Sequence, residues 1–147
     1  MAMVKRTAEI TWEGDVQKGS GVLNLATSGA GGELPISLPT RAGESNGQTS
    51  PEELIAGSHA GCYAMALSNV LTQAGNPPSE LKVSATVGLE REGAGFKLSE
   101  SRLTARGSVD GVDESQFADF AKQAEQACPV SNAIRGNVEI ELDAALA

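Results

Sequence analysis

At 147 residues, with a formal net charge of −8 and only 3% aromatic residues, the chain has the length for one domain whose core is built mainly from Ala, Val, Leu and Ile. The acidic balance excludes nucleic acid and anionic membrane as partners, since both need a basic face. Residues 1–12 lack the apolar core of a secretion signal and no other segment has the composition of a bilayer span, so the expectation is a soluble cytoplasmic protein. Two cysteines without such a signal are not a secreted disulfide scaffold. They leave three readings open: inert core thiols, part of a metal site, or a redox-active pair.

In chain order, residues 4–12 carry strand formers with partial alternation. Glu13-Gly14-Asp15 makes a turn, and residues 16–27 read as the returning strand. A glycine-rich loop, 28–32, precedes a short strand at 33–38 that ends at Pro39. Residues 40–49 are polar and cannot supply core, which makes them a candidate functional loop, with Arg41 near its start.

The organising stretch is 50–75. Ser50 is a candidate N-cap, Pro51 a first helical residue, and Glu53 completes a capping box; Gly75 with Asn76-Pro77-Pro78 is the stop. Between these ends the apolar residues cover nearly the whole circumference from Ala60 to Leu67. That predicts a helix buried on every side, with Cys62 near its middle. Residues 81–90 and 96–109 then form a hairpin around the turn 91–95. Asp113 and Gln116 box the start of a helix that buries Phe117, Phe120, Ala121, Ala124 and Ala127 and turns Lys122, Gln123 and Glu125 outward. Pro129 opens a short helix ending at Gly136, with Cys128 at or near its N-cap, and 138–142 is a last strand. Two hairpin-like groups split by a long helix predict one α+β domain over 1–147, with antiparallel sheets. A helix apolar all round needs more cover than this chain supplies, which points to a homodimer.

Cysteine is among the most buried residue types, so inert packing is the plain reading of both thiols. Against it, small neighbours (Ala60, Gly61, Ala64) leave room beside Cys62, and a helix start favours a thiolate at Cys128. His59 lies one turn before Cys62 and permits either a packed histidine or a Cys–His hydrolase pair. A zinc site would need ligands beyond two Cys and one His, with only carboxylates to add, so no metal is expected. Glu52 reads most simply as a carboxylate facing the helix dipole, and Arg41 as a solvated charge.

The combination of Thr40-Arg41, Gly43, Gly47, the stretch 49–67 (TSPEELIAGSHAGCYAMAL) and 127–134 (ACPVSNAI) closely resembles the OsmC/Ohr family of bacterial hydroperoxide-reducing proteins. The opening residues 8–25 resemble its osmotically inducible (OsmC) branch. The resemblance implies an intertwined homodimer and a thiol peroxidase acting on organic hydroperoxides and, less well, on hydrogen peroxide. Cys62 would be the peroxidatic nucleophile and Cys128 the resolving thiol that forms a disulfide with it. Arg41 would hold the thiolate, Glu52 would pair with Arg41, and a lipoamide-type dithiol would be the reductant. Gly61 and Tyr63 depart from the usual Ala and Phe. Tyr63, Leu67, Phe117 and Phe120 are the expected apolar pocket residues. Ten residues separate Glu52 from Cys62 on one helix, about 15 Å, so Arg41 and Glu52 are expected to serve a partner chain's cysteines. The rival functions are a non-enzymatic dimer that binds a small apolar ligand, and the Cys62/His59 hydrolase.

Overall fold

The computed structural model describes all 147 residues, which pack as two compact units, Met1–Pro51 and Glu52–Ala147. The first is a three-stranded antiparallel meander, β1 (Glu9–Glu13), β2 (Ser20–Asn24) and β3 (Leu34–Ile36), in that order across the sheet. Asp15 shapes the first turn, its carboxylate accepting from the N–H groups of Gln17 and Lys18 at 2.9 and 2.8 Å. Gly21 on β2 is required by packing: a Cβ there would lie 2.8 Å from the Trp12 ring. The strands are shorter than expected, and Pro39 does not end β3. It lies in the first turn of a short helix, α1 (Leu38–Ala42), with Ser37 as N-cap. Arg41 is therefore helical, not part of a loop.

The second unit opens with α2 (Pro51–Gln73), an unbroken helix. It ends in a Schellman motif: Asn76 N–H donates to Leu71 O at 2.9 Å, Gly75 N–H to Thr72 O at 3.0 Å, and Gly75 adopts φ +85°. Then follow the hairpin β4 (Glu80–Glu92) and β5 (Gly95–Ser108), α3 (Glu114–Ala127), α4 (Pro129–Ile134) and β6 (Glu139–Leu146). The expected capping box is present, with Asp113 Oδ1 accepting from Gln116 N–H at 2.8 Å and Gln116 Oε1 from Asp113 N–H at 3.0 Å.

One pairing departs from the antiparallel expectation. β6 runs parallel to β5, in the order β4-β5-β6, because α3 and α4 carry the chain back to the end where β5 began, the crossover that parallel neighbours need. Arg102 with Glu141 (2.7 Å) and Arg106 with Asp143 (2.9 Å) pair across this seam. The inner face of the sheet, including Leu81, Val83, Leu103, Ala105, Ile140 and Leu142, packs with Tyr63, Leu67 and Leu71 of α2 and Phe117 and Ala124 of α3.

As expected of a helix apolar all round, α2 needs more cover than this chain supplies; on α3 the expected burial needs correction at Ala127, which is exposed, and at Glu125. Within this chain α2 is not buried on every side: its buried stripe is His59, Tyr63, Leu67 and Leu71, recurring every fourth residue, with Glu52 at the start. Met65 keeps 71% of its surface exposed, because sheet and α3 cover one side of the helix only. Glu125 does not face outward; it is buried and held by Arg135 at 2.7 Å.

The seat of α3 on β5 depends on Gly107, where a Cβ would fall 2.7 Å from Phe117 Cε2 and Cζ and 3.1 Å from Leu81 Cδ2. Gly107→Ala is expected to destabilise the protein by about 1–3 kcal/mol through overpacking, read as a lower denaturant midpoint. A second change, Phe117→Leu, recovers part of that loss.

Candidate active site

Two elements distant in the chain bring the cysteines together. Cys62 projects from the middle of α2 and is half-buried; Cys128 caps α4 and has no exposed surface. Both are free thiols, and they are close neighbours in the packed core, near enough for Cys128 to bear on the Cys62 pKa. The α4 turn addresses both sulfurs: Ser131 N–H donates to Cys128 Sγ at 3.4 Å, and the Val130 backbone favours the Cys62 thiolate.

Burial pushes the Cys62 thiol above its ordinary range; the Val130 backbone opposes this, and the neighbouring Cys128 adds to it.

His59 is the packed histidine of the two readings, not half of a Cys–His pair. It is fully buried, with Nδ1 2.6 Å from Ser101 Oγ on β5 and Nε2 2.7 Å from Ser131 Oγ on α4. Both ring nitrogens are thus engaged by hydroxyls, which leaves the imidazole without a free lone pair for a Cys–His pair. Burial lowers its basicity; Glu125 opposes that and Arg135 reinforces it.

Glu52 is buried in the first turn of α2. The helix between it and Cys62 is continuous, so the two stand about 15 Å apart along the axis. Arg41 belongs to the N-terminal unit, where it lines a pocket of about 200 Å³ with Trp12, Val16, Ile36, Ser37, Leu38 and Pro51. Tyr63, Leu67 and Phe117 lie wholly inside the core, whereas Phe120 is only partly buried. The Tyr63 hydroxyl donates to Ala121 O at 3.0 Å, and burial raises its pKa. No group of three or more His, Cys, Asp or Glu residues is arranged to hold a metal ion.

Sequence reasoning passed over Ser101, Ser131 and the Glu125–Arg135 pair. A signal for Ser101 exists: it shares the inward phase of β5 with Leu103 and Ala105, and a polar residue in that phase needs a buried partner.

An α+β unit that sets two free thiols against each other, one on a helix flank and one at a helix cap, defines a dithiol redox protein. The sequence profile described as OsmC-like protein matches residues 43–143. The chain is 33% identical over 138 residues to the peroxiredoxin OsmC of Escherichia coli strain K12, covering 94% of this chain and 95% of that one. It is 32% identical over 112 residues to an organic hydroperoxide resistance protein of Xanthomonas axonopodis pv. citri, covering 75% and 77%. Among solved structures, an organic hydroperoxide resistance protein OsmC from Legionella pneumophila superposes with a TM-score of 0.78 at 27% identity over 99% of both chains. An organic hydroperoxide resistance protein from Elizabethkingia anophelis gives 0.76 at 30% identity over 99% and 100%. The chain belongs to the OsmC family.

The buried imidazole has a consequence for stability. An unfolded histidine takes up a proton below about pH 6.5, whereas the folded His59 does so only at lower pH. Its contribution is complete above that value and is lost as pH falls from about 6.5 toward the depressed folded value. Wild type is therefore expected to lose stability relative to His59→Gln below pH 6.5, with a slope of at most about 1.4 kcal/mol per pH unit. Parallel denaturant titrations of the two proteins check this.

Proposed function

We propose that the protein is a thiol-dependent peroxidase that reduces organic hydroperoxides, and hydrogen peroxide less well. The observation that carries this reading is the close approach of two free cysteines, Cys62 half-buried on α2 and Cys128 enclosed at the start of α4. The relatives named as a peroxiredoxin and as organic hydroperoxide resistance proteins support it.

In this reading the Cys62 thiolate attacks the O–O bond. It becomes a sulfenic acid and releases the alcohol. The Cys128 thiolate then attacks the Cys62 sulfur, the S–O bond breaks, and water leaves with a disulfide in place. A dithiol of the lipoamide type returns both sulfurs to the reduced form.

The cation that activates Cys62 is Arg41, paired with Glu52, and both are contributed by the second subunit of a homodimer. The unbroken α2 helix supports this assignment, since it holds Glu52 far from the Cys62 of its own chain. A guanidinium within about 4–6 Å lowers a thiol pKa by about one to three units, which acts against the effect of burial. The exposed side of α2 around Met65 suits a subunit contact, and Phe120 is the assigned lining residue for the organic part of the substrate.

Cys62→Ser is expected to lower hydroperoxide turnover by about a thousandfold or more. Cys128→Ser should leave a sulfenic acid on Cys62 after one equivalent of peroxide, trapped by a dimedone adduct in mass spectrometry. A protein that binds an apolar ligand without chemistry would show neither effect. A Cys62/His59 hydrolase would lose activity on replacement of His59 and keep it in Cys128→Ser.

The shared site is read by complementation. Arg41→Ala and Cys62→Ser proteins, each inactive alone, are mixed under subunit exchange. About a quarter of wild-type activity should return if the arginine acts across the interface. No recovery places Arg41 and Cys62 in one chain.

A further inference from the structure

We propose that His59 is a positioning residue for the resolving step: through Ser131 it holds the 128–131 turn against α2, so that Cys128 meets the oxidised Cys62 without a search. The proposal rests on the disulfide reading above and adds a residue that acts on neither peroxide nor sulfur directly.

His59 is the chain's only histidine and has no exposed surface. It sits on α2 one turn before Cys62, and its two ring nitrogens reach two other elements, β5 through Ser101 and α4 through Ser131. Ser131 carries both links to the reacting turn. Its hydroxyl meets His59, while its backbone N–H donates to Cys128 Sγ at 3.4 Å. The residue before it, Val130, has its backbone near enough to Cys62 to favour the thiolate. One side-chain contact therefore sets the register of the turn that addresses both sulfurs.

From the other side the turn is closed by Arg135, whose Nη2 donates to Glu125 Oε1 at 2.7 Å, and by Asn132 Nδ2, which donates to Gln126 O at 3.0 Å. Those bonds tie the turn to α3. Only the His59–Ser131 bond among these ties it to the helix that carries the nucleophile. A disulfide tolerates Cα–Cα separations of only about 4.4–6.8 Å, so a turn that drifts on α2 loses closure steeply.

In the step concerned, Cys128 sulfur bonds to Cys62 sulfur, the Cys62 S–O bond breaks, and the departing hydroxide takes a proton to leave as water. Two thiols and one hydroperoxide thus give one disulfide, one alcohol and one water. His59 supplies no electron and no atom. It raises the effective concentration of one thiol at the other by removing the freedom of the turn before reaction.

The test compares variants that break one or the other arm of the imidazole. The principal readout is the Cys62–Cys128 disulfide equilibrium against a glutathione redox buffer, which needs no peroxide. Ser131→Ala, and independently His59→Asn, which is too short to reach Ser131, are expected to lower the effective concentration of Cys128 about tenfold, or about 30 mV in potential. Ser131→Thr keeps the hydroxyl and His59→Gln keeps a polar atom at the Nε2 reach; both should remain within about twofold of wild type. Ser101→Ala removes an equal number of bonds from the same ring, leaves the turn anchored, and should also stay within about twofold. In stopped-flow single turnover with cumene hydroperoxide, the sulfenic acid should persist about tenfold longer in Ser131→Ala, with its formation rate little changed.

Equal losses in Ser101→Ala and Ser131→Ala would make His59 a general packing residue and overturn the proposal. So would a wild-type disulfide equilibrium in a folded Ser131→Ala or His59→Asn protein. Failure of the peroxidase reading shows differently: wild type would not be oxidised by the hydroperoxide, while the glutathione equilibrium would still report on the turn.

Discussion

The docking of a four-residue turn on the flank of a helix is the constraint on which the chemistry depends. Residues 128–131 bring a sulfur, two backbone groups and a serine hydroxyl to α2, and each finds its counterpart there or within the turn. Neither cysteine makes a redox centre alone. Cys62 without the turn is one small residue on a helix of small residues, and Cys128 without α2 is a capped thiol enclosed in hydrocarbon. The hydrophobic core explains how the turn arrives: α3 is seated on β5 by Phe117 over Gly107, and α4 follows directly from it.

Burial and reactivity pull against each other at Cys62. The enclosure that lets two sulfurs meet also penalises the anion that has to start the reaction. The fold resolves part of this conflict by aiming the Val130 backbone at the sulfur. A backbone donor moderates the penalty but does not remove it. In the proposed function a guanidinium brought alongside would act against the rest. Placing that cation on a different subunit would make activation conditional on assembly.

Much of the architecture was legible in the residues because local rules and packing agreed. Pro51 and Gly75 bracket α2, Asp113 and Gln116 open α3, and Cys128-Pro129 marks the α4 start, all within a residue or two of their observed places. The errors share a cause. Circumference counts on α2 said that one chain leaves part of it bare, but not that the bare side is the one around Met65. Pro39 was taken as a strand end because the N-cap at Ser37 is a weaker signal than a proline. Glu125 falls on the polar arc of α3, and Arg135, ten positions on and brought back by the α4 turn, makes its burial tolerable together with the Gln126 amide. The His59 partners lie on β5 and α4, far away in sequence, and no periodicity links them to α2. The pairing of the two cysteines was likewise beyond spacing rules and came from family resemblance.

The parallel seam between β5 and β6 bears on how the oxidised protein is recharged. Cys128 lies in the crossover joining those strands, so swinging its sulfur outward would strain a segment stitched down on both flanks by strand hydrogen bonds. In the proposed disulfide the Cys128 end would stay inside, and the half-buried Cys62 end would be the one a dithiol strikes. Cys128 would then be the leaving group, released as a thiolate beside the Ser131 amide that is already turned toward it. On that proposal oxidant and reductant would use the same path and take turns.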